Sequence, residues 1–354
     1  LWNGLIYYYN PGSERWPEKK RELIDYAYAV SQTFGRVVAE VIQVKENSKA
    51  MPWLQIDKIL TNFNYDYLVP RKFYLSIQGI DGEYFFTPYR VSKTQFYTVD
   101  HKKIELLFAE AIIYPISQKI SLVVGEAPEE SDIVVVFPFR IREYVPCLRK
   151  MIETGDLNKI MAGLKTSFKS AILIRDIYQE MFKQVSEEEL EKIIIDEFIF
   201  HELSHKKKYE AKEVFWRSMS DMPEGKRYML KSDFQDIVSR PESRASVARE
   251  AGAYLGSLIC LSTDKERIFY ILQSLYSSAR SVSFTHRLAV RLLLYDLAKI
   301  TFSEEVVKDK DFGWIFEHLF KKAQENPDVF RKKVEELYKM WFDRPFGTIE
   351  KNKE

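Results

Sequence analysis

The chain has 354 residues, of which 46% are hydrophobic and 30% charged, a balance that suits a globular protein with a sizeable core and excludes a disordered one. With 53 basic against 52 acidic residues the net charge is +1, so no overall field favours nucleic acid or an anionic membrane. Two cysteines, Cys147 and Cys260, are too few for a disulfide framework and lack CxxC spacing; both are expected as buried thiols in a reducing, cytoplasmic setting. No run approaches eighteen uncharged apolar residues, and the start Leu1-Trp2-Asn3 carries no basic segment followed by an apolar core. Neither a membrane span nor an export signal is expected.

In chain order, Pro17 followed by Glu18-Lys19-Lys20-Arg21-Glu22-Leu23 predicts a helix that continues to about Val44. From about Tyr67 to Pro146 the character changes. Segments 72–78, 83–86, 119–124 and 132–137 are rich in β-branched and aromatic residues and bounded by Gly, Pro and Asp, which predicts a sheet of about four to six strands. Beyond Pro146 the periodicity is helical near 157–184, 186–218, 241–261, 264–280, 284–301, 313–324 and 327–342, the last opened by Asn326-Pro327. The fold class expected is therefore α+β: a mixed N-terminal part, residues 1–150, with a small, mainly antiparallel sheet and no assigned role, followed by a mostly helical part, residues 151–354. Pro146 and Gly155-Asp156 punctuate the boundary, although the sheet packing directly on the helices as one unit is the alternative.

One stretch carries chemistry. His201-Glu202-Leu203-Ser204-His205 is an HExxH pattern, in which histidines four apart on a helix can reach one metal ion while the glutamate faces its open position. Such a match arises by accident in roughly one chain of this length per hundred, so its surroundings matter. Ser186 with Glu189 forms a capping box, flanked by Val185 and Leu190 as a hydrophobic staple. At about 100° per residue, Leu190, Ile194, Phe198 and His205 share one face with His201, so both rings are expected to point inward. Lys206, Lys207 and Lys208 follow, which predicts that the helix surfaces there or that a basic rim borders a cleft.

Two histidines leave a zinc ion short of protein ligands, since catalytic sites normally use three plus a water. Position 211, where one common arrangement would place another histidine, is Ala211. A carboxylate on a later helix is the remaining common solution. Glu242 sits in a first helical turn behind Pro241, where the helix dipole already accounts for it. Glu250 lies among Val247, Ala248, Ala251, Gly252 and Ala253, where a buried carboxylate needs a cation and small residues permit close helix approach. Glu250 is the preferred metal ligand beside His201 and His205; Glu242 and His286 are the alternatives, and a salt bridge from Glu250 to Arg244 or Arg249 is the reading without a metal.

His201-Glu202-x-x-His205 followed 45 residues later by Glu250-x-x-Ala253 resembles the gluzincin group of zinc metallopeptidases, over about residues 190–260. Many gluzincins carry Asp after the Ala of the second motif; this chain has Tyr254. The resemblance implies a zincin-like helical part, Zn2+ as cofactor, and a peptide or protein substrate hydrolysed with Glu202 as general base. His286 or Tyr254 is a candidate donor to the anionic intermediate. His101 and His318 are expected at the surface. The interval 206–240, with a turn at Pro223-Glu224-Gly225, is a candidate lid. The rival expectation is a non-catalytic binding or scaffold protein whose HExxH site is structural; a nucleic-acid role resting on three lysines is the poorest of the three.

Overall fold

The computed structural model describes residues 16–30, 32–46, 73–80, 83–111, 125–127, 131–154, 176, 179–180, 182–221, 240–260, 265–278, 284–308, 310 and 312–352. The expected strand at 119–124, most of the helical run 157–184, and the turn at Pro223-Glu224-Gly225 lie outside them. The chain divides into two compact units: Leu1–Phe96 with Ile104–Arg140, and Tyr97–Lys103 with Ile141–Glu354.

In the first unit the expected single N-terminal helix is two, α1 (Trp16–Val30) and α2 (Gln32–Glu46), packed on each other around Ala27, Val37, Val38 and Ile42. Gly35 permits that approach, because the Tyr28 ring occupies the space its side chain would fill. Strands β1 (Phe73–Ile80) and β2 (Glu83–Val99) pair antiparallel, and β3 (Lys102–Ala111), β4 (Gly125–Glu126) and β5 (Ile133–Val136) complete the sheet order β1-β2-β3-β5-β4.

The turn from β2 to β3 is only Asp100-His101, both at positive φ (46° and 72°), the backbone that a two-residue hairpin demands. The sheet is mixed, because β5 runs parallel to β3. All four residues of β5 are buried, as expected for a Val- and Ile-rich strand covered on both faces. Tyr89, Leu107, Ala109, Ile133, Val135, Phe137 and Phe139 form the core here, with the Tyr89 and Phe137 rings 4.5 Å apart.

The described residues that follow form the helices α3 (Pro138–Thr154), α4 (Glu187–Ser204), α5 (Glu213–Asp221), α6 (Pro241–Cys260), α7 (Lys265–Ser278), α8 (Phe284–Phe302), the single turn α9 (Glu304–Val307), α10 (Phe312–Glu325) and α11 (Pro327–Phe342). Pro146 lies inside α3 rather than at a break. The short β6 (Ile349–Lys351) pairs antiparallel with the end of β2 at Tyr97–Val99. The fold class is α+β.

Helix α8 is apolar nearly all round, with Leu292, Leu293, Leu294, Leu297 and Ala298 at 0% exposure, the pattern of a helix enclosed by others. It packs against α6, α7, α10 and α11. Its one buried acid, Asp296, accepts a hydrogen bond of 2.9 Å from Trp341 Nε1 on α11, which satisfies the indole in the core.

Among the described residues no helix is long and apolar enough to cross a membrane. Cys260, at the end of α6, is free and partly buried, and burial pushes its thiol up to about 12. His101 is exposed, whereas His318 is half-buried with its ring stacked 3.8 Å from that of Trp314.

Candidate metal centre

Helix α4 forms where its sequence marks it. Ser186 is extended (φ −66°, ψ 161°) and its Oγ accepts from Glu189 N at 3.1 Å, while Glu187, Glu188 and Glu189 fill the first turn at the positive end of the dipole. Leu190 and Ile194 are buried on the face that ends in His201 and His205.

The expected run 186–218 breaks after His205. Lys206 N and Lys207 N bond back to Leu203 O and Ser204 O, and the chain turns away before α5. The burial of Lys207 corrects the reading of the three lysines as a helix end in solvent or a basic rim. The Lys207 side chain is fully buried, and its Nζ donates to Asp100 Oδ1 at 2.6 Å and to the carbonyl of Phe346 at 2.8 Å. Lys208 alone of the three is exposed. Tyr209 Oη donates to Ser204 O at 2.9 Å, a second hydrogen bond to that carbonyl of the last helical turn.

Helix α6 packs against α4 as its small residues suggest. The Tyr209 ring fills the space beside Gly252, and Ser204 fills that beside Gly256, so neither position has room for a Cβ without displacement. This contact brings Glu250 to the histidines. His201, His205 and Glu250 form a group that could hold a metal ion. His201 Nε2 and His205 Nε2 are 3.2 Å apart, and Glu250 Oε2 is 3.6 Å from the first and 3.5 Å from the second.

The three ligand atoms of a tetrahedral zinc with bonds of about 2.0–2.2 Å stand roughly 3.3–3.6 Å from one another, so the observed triangle has the size of one face of such a site. Hydrogen bonding does not explain it equally well. Glu250 Oε2 is buried without a hydrogen-bond partner, and so is His205 Nδ1. A buried, unsatisfied carboxylate oxygen facing two ring nitrogens is the arrangement that a cation would complete.

The electrostatics favour a neutral His201 and an ionised Glu250, while His205 is pulled toward the charged form. Burial lowers His201 to about 4, more than the nearby Glu250 raises it, so that ring stays neutral and able to ligate. Burial also opposes charge on His205, but Glu250 and Glu202 outweigh it and the net direction is upward. Burial would raise Glu250, yet the two histidines hold it far below the usual carboxylate range, so it stays ionised.

The other sequence candidates fall as follows. Glu202 is buried (8% exposed) between the two histidines on α4. Glu242 is exposed in the first turn of α6 and is not in the group. Tyr254 lies one turn beyond Glu250, its ring centroid 4.6 Å from that of His201. His286, from the first turn of α8, places Nδ1 2.9 Å from Tyr254 Oη and 3.3 Å from Glu250 Oε2. The pattern along the chain held no signal for that convergence, because His286 reaches the site only through the packing of α8 on α6. A further buried acid on α4, Glu197, carries no signal in the sequence pattern; its carboxyl is hydrogen-bonded with Ser274 of α7.

No family model matches the chain, no curated protein matches it, and no solved structure matches its fold.

Proposed function

We propose that the chain is a zinc-dependent hydrolase of peptide bonds, with His201, His205 and Glu250 as metal ligands and Glu202 as general base. The observation that carries the reading is the triangle of two Nε2 atoms and one carboxylate oxygen with edges of 3.2, 3.5 and 3.6 Å, beside a glutamate within the same helical turn. Zn2+ held there would lower the pKa of a water toward neutrality and polarise a carbonyl oxygen.

The chain's own residues supply the rest. The neutral His201 ring offers a lone pair at Nε2, and the ionised Glu250 brings one negative charge to balance the dication. Glu202, anchored on α4 between the two ligands, takes the proton from the attacking water and returns it to the leaving nitrogen. Burial of His201 and Glu202, and partial burial of His205 and Glu250, limits the competing water that would weaken these interactions.

The test compares the parent with Glu202→Gln on a diverse peptide mixture read by mass spectrometry, with zinc content measured alongside. The substitution preserves size and leaves the ligands in place, so zinc should stay bound while cleavage falls by a factor of about 10²–10⁴, the usual contribution of a positioned base. Equal cleavage by both proteins, or none by either at full zinc occupancy, would instead favour the binding or scaffold reading with a structural metal.

A further inference from the structure

Glu250 Oε2 is approached by three ring nitrogens rather than two. Besides His201 Nε2 at 3.6 Å and His205 Nε2 at 3.5 Å, His286 Nδ1 stands 3.3 Å away, and it comes from a different helix. His286 does not belong to the mutually close ligand set, which comprises His201, His205 and Glu250. Its Nδ1 instead sits between Glu250 Oε2 and Tyr254 Oη, the latter at 2.9 Å. Glu250 and Tyr254 are four apart on α6, so both project from one face toward the start of α8.

We propose that His286 is a positioning residue of this centre: its Nδ1–H, held in place by Tyr254 Oη, faces the Glu250 carboxylate and fixes the orientation in which that carboxylate serves as third ligand. The assignment rests on the metal-centre reading above. Hydrogen accounting supports it. A bare Nδ1 lone pair 3.3 Å from an ionised carboxylate would repel it, whereas Nδ1–H attracts it while the hydrogen bond itself is made with the tyrosine oxygen at 2.9 Å. Nε2 is then the acceptor nitrogen of a ring that is 38% exposed. Polar groups packed against a ligating carboxylate from outside narrow the orientations it samples, and the Nδ1 approach of 3.3 Å places His286 to do so. The role also explains why an imidazole from α8 occupies a site whose ligands come from α4 and α6.

The experiment measures zinc affinity by chelator competition and the visible absorption of the cobalt-substituted protein, in the parent and in His286→Ala, His286→Asn, His286→Gln and Tyr254→Phe. The amide nitrogen of Asn falls where Nδ1 lies, and that of Gln falls nearer Nε2, so only Asn can restore the donor. His286→Ala is expected to weaken zinc about 10–100-fold and to shift the cobalt spectrum, His286→Asn to recover to within about threefold of the parent, and His286→Gln to resemble Ala. Tyr254→Phe should weaken zinc less than His286→Ala does. Circular dichroism in excess chelator checks that each variant is folded, and His286→Asn keeps the test informative if Ala does not fold.

Unchanged affinity in His286→Ala, or Gln recovering as well as Asn, overturns the proposal. A loss in His286→Ala as deep as that of His201→Ala would make His286 a ligand and overturn it too. If the parent itself binds no more zinc than a His201→Ala, His205→Ala double variant, the metal centre fails first and the positioning role with it.

Discussion

Replacing Glu197 by Gln should change how the stability of this protein depends on pH. Glu197 lies one turn before His201 on α4, is 4% exposed, and has an Oε2 with no hydrogen-bond partner. Burial pushes its carboxyl up to about 8 from an ordinary 4.5, against a hydrogen bond with Ser274 that lowers it. Between those values the folded protein holds one proton more than the unfolded chain. Its stability therefore falls as pH rises, by about 1.4 kcal/mol per unit. The loss begins near the unfolded value and is complete above the folded one. From about pH 5 to about pH 7 the cost is on the order of 2 kcal/mol, a sizeable part of the stability of an ordinary domain.

A neutral amide of the same size carries no such cost. Denaturant unfolding of parent and Glu197→Gln, in chelator at several pH values, should show the variant gaining on the parent by that amount between about pH 5 and pH 7 and levelling off above about pH 8. The other titrating groups are common to both proteins and cancel in the difference. A constant difference across the range would mean that Glu197 is ionised or solvated in the fold, and the reasoning would be refuted.

Two further outcomes follow from the site and its anchor. Protein purified without added metal should carry about one zinc per chain by elemental analysis; Glu250→Ala should lose it while Glu242→Ala keeps it, and the reverse pattern would transfer the ligand to Glu242. Lys207→Met should cost roughly 2–4 kcal/mol in denaturant unfolding, because it leaves Asp100 and the Phe346 carbonyl without their shared donor. A variant as stable as the parent would show that the buried ammonium only breaks even against its desolvation.

Features that depend on local repetition are legible along the chain. The cap at Ser186, the common face of Leu190, Ile194, His201 and His205, and helices expected at 241–261, 284–301 and 327–342 all follow from 3.6-residue periodicity and terminal chemistry, and the structure has α6, α8 and α11 at Pro241–Cys260, Phe284–Phe302 and Pro327–Phe342. Glu250 was legible because a carboxylate among small and apolar residues is anomalous in composition alone.

What tertiary structure decided are the meetings of distant segments, which no local pattern encodes. Lys207 is indistinguishable in the sequence from its two lysine neighbours, and only Asp100, more than a hundred residues earlier, and the carbonyl of Phe346 give its ammonium partners in the interior. The parallel pairing of β3 with β5 depends on a crossover, not on the composition of either strand. His286 joins Tyr254 and Glu250 only because α8, apolar nearly all round, is drawn against α6 by burial of its leucines, which brings the start of α8 to the site.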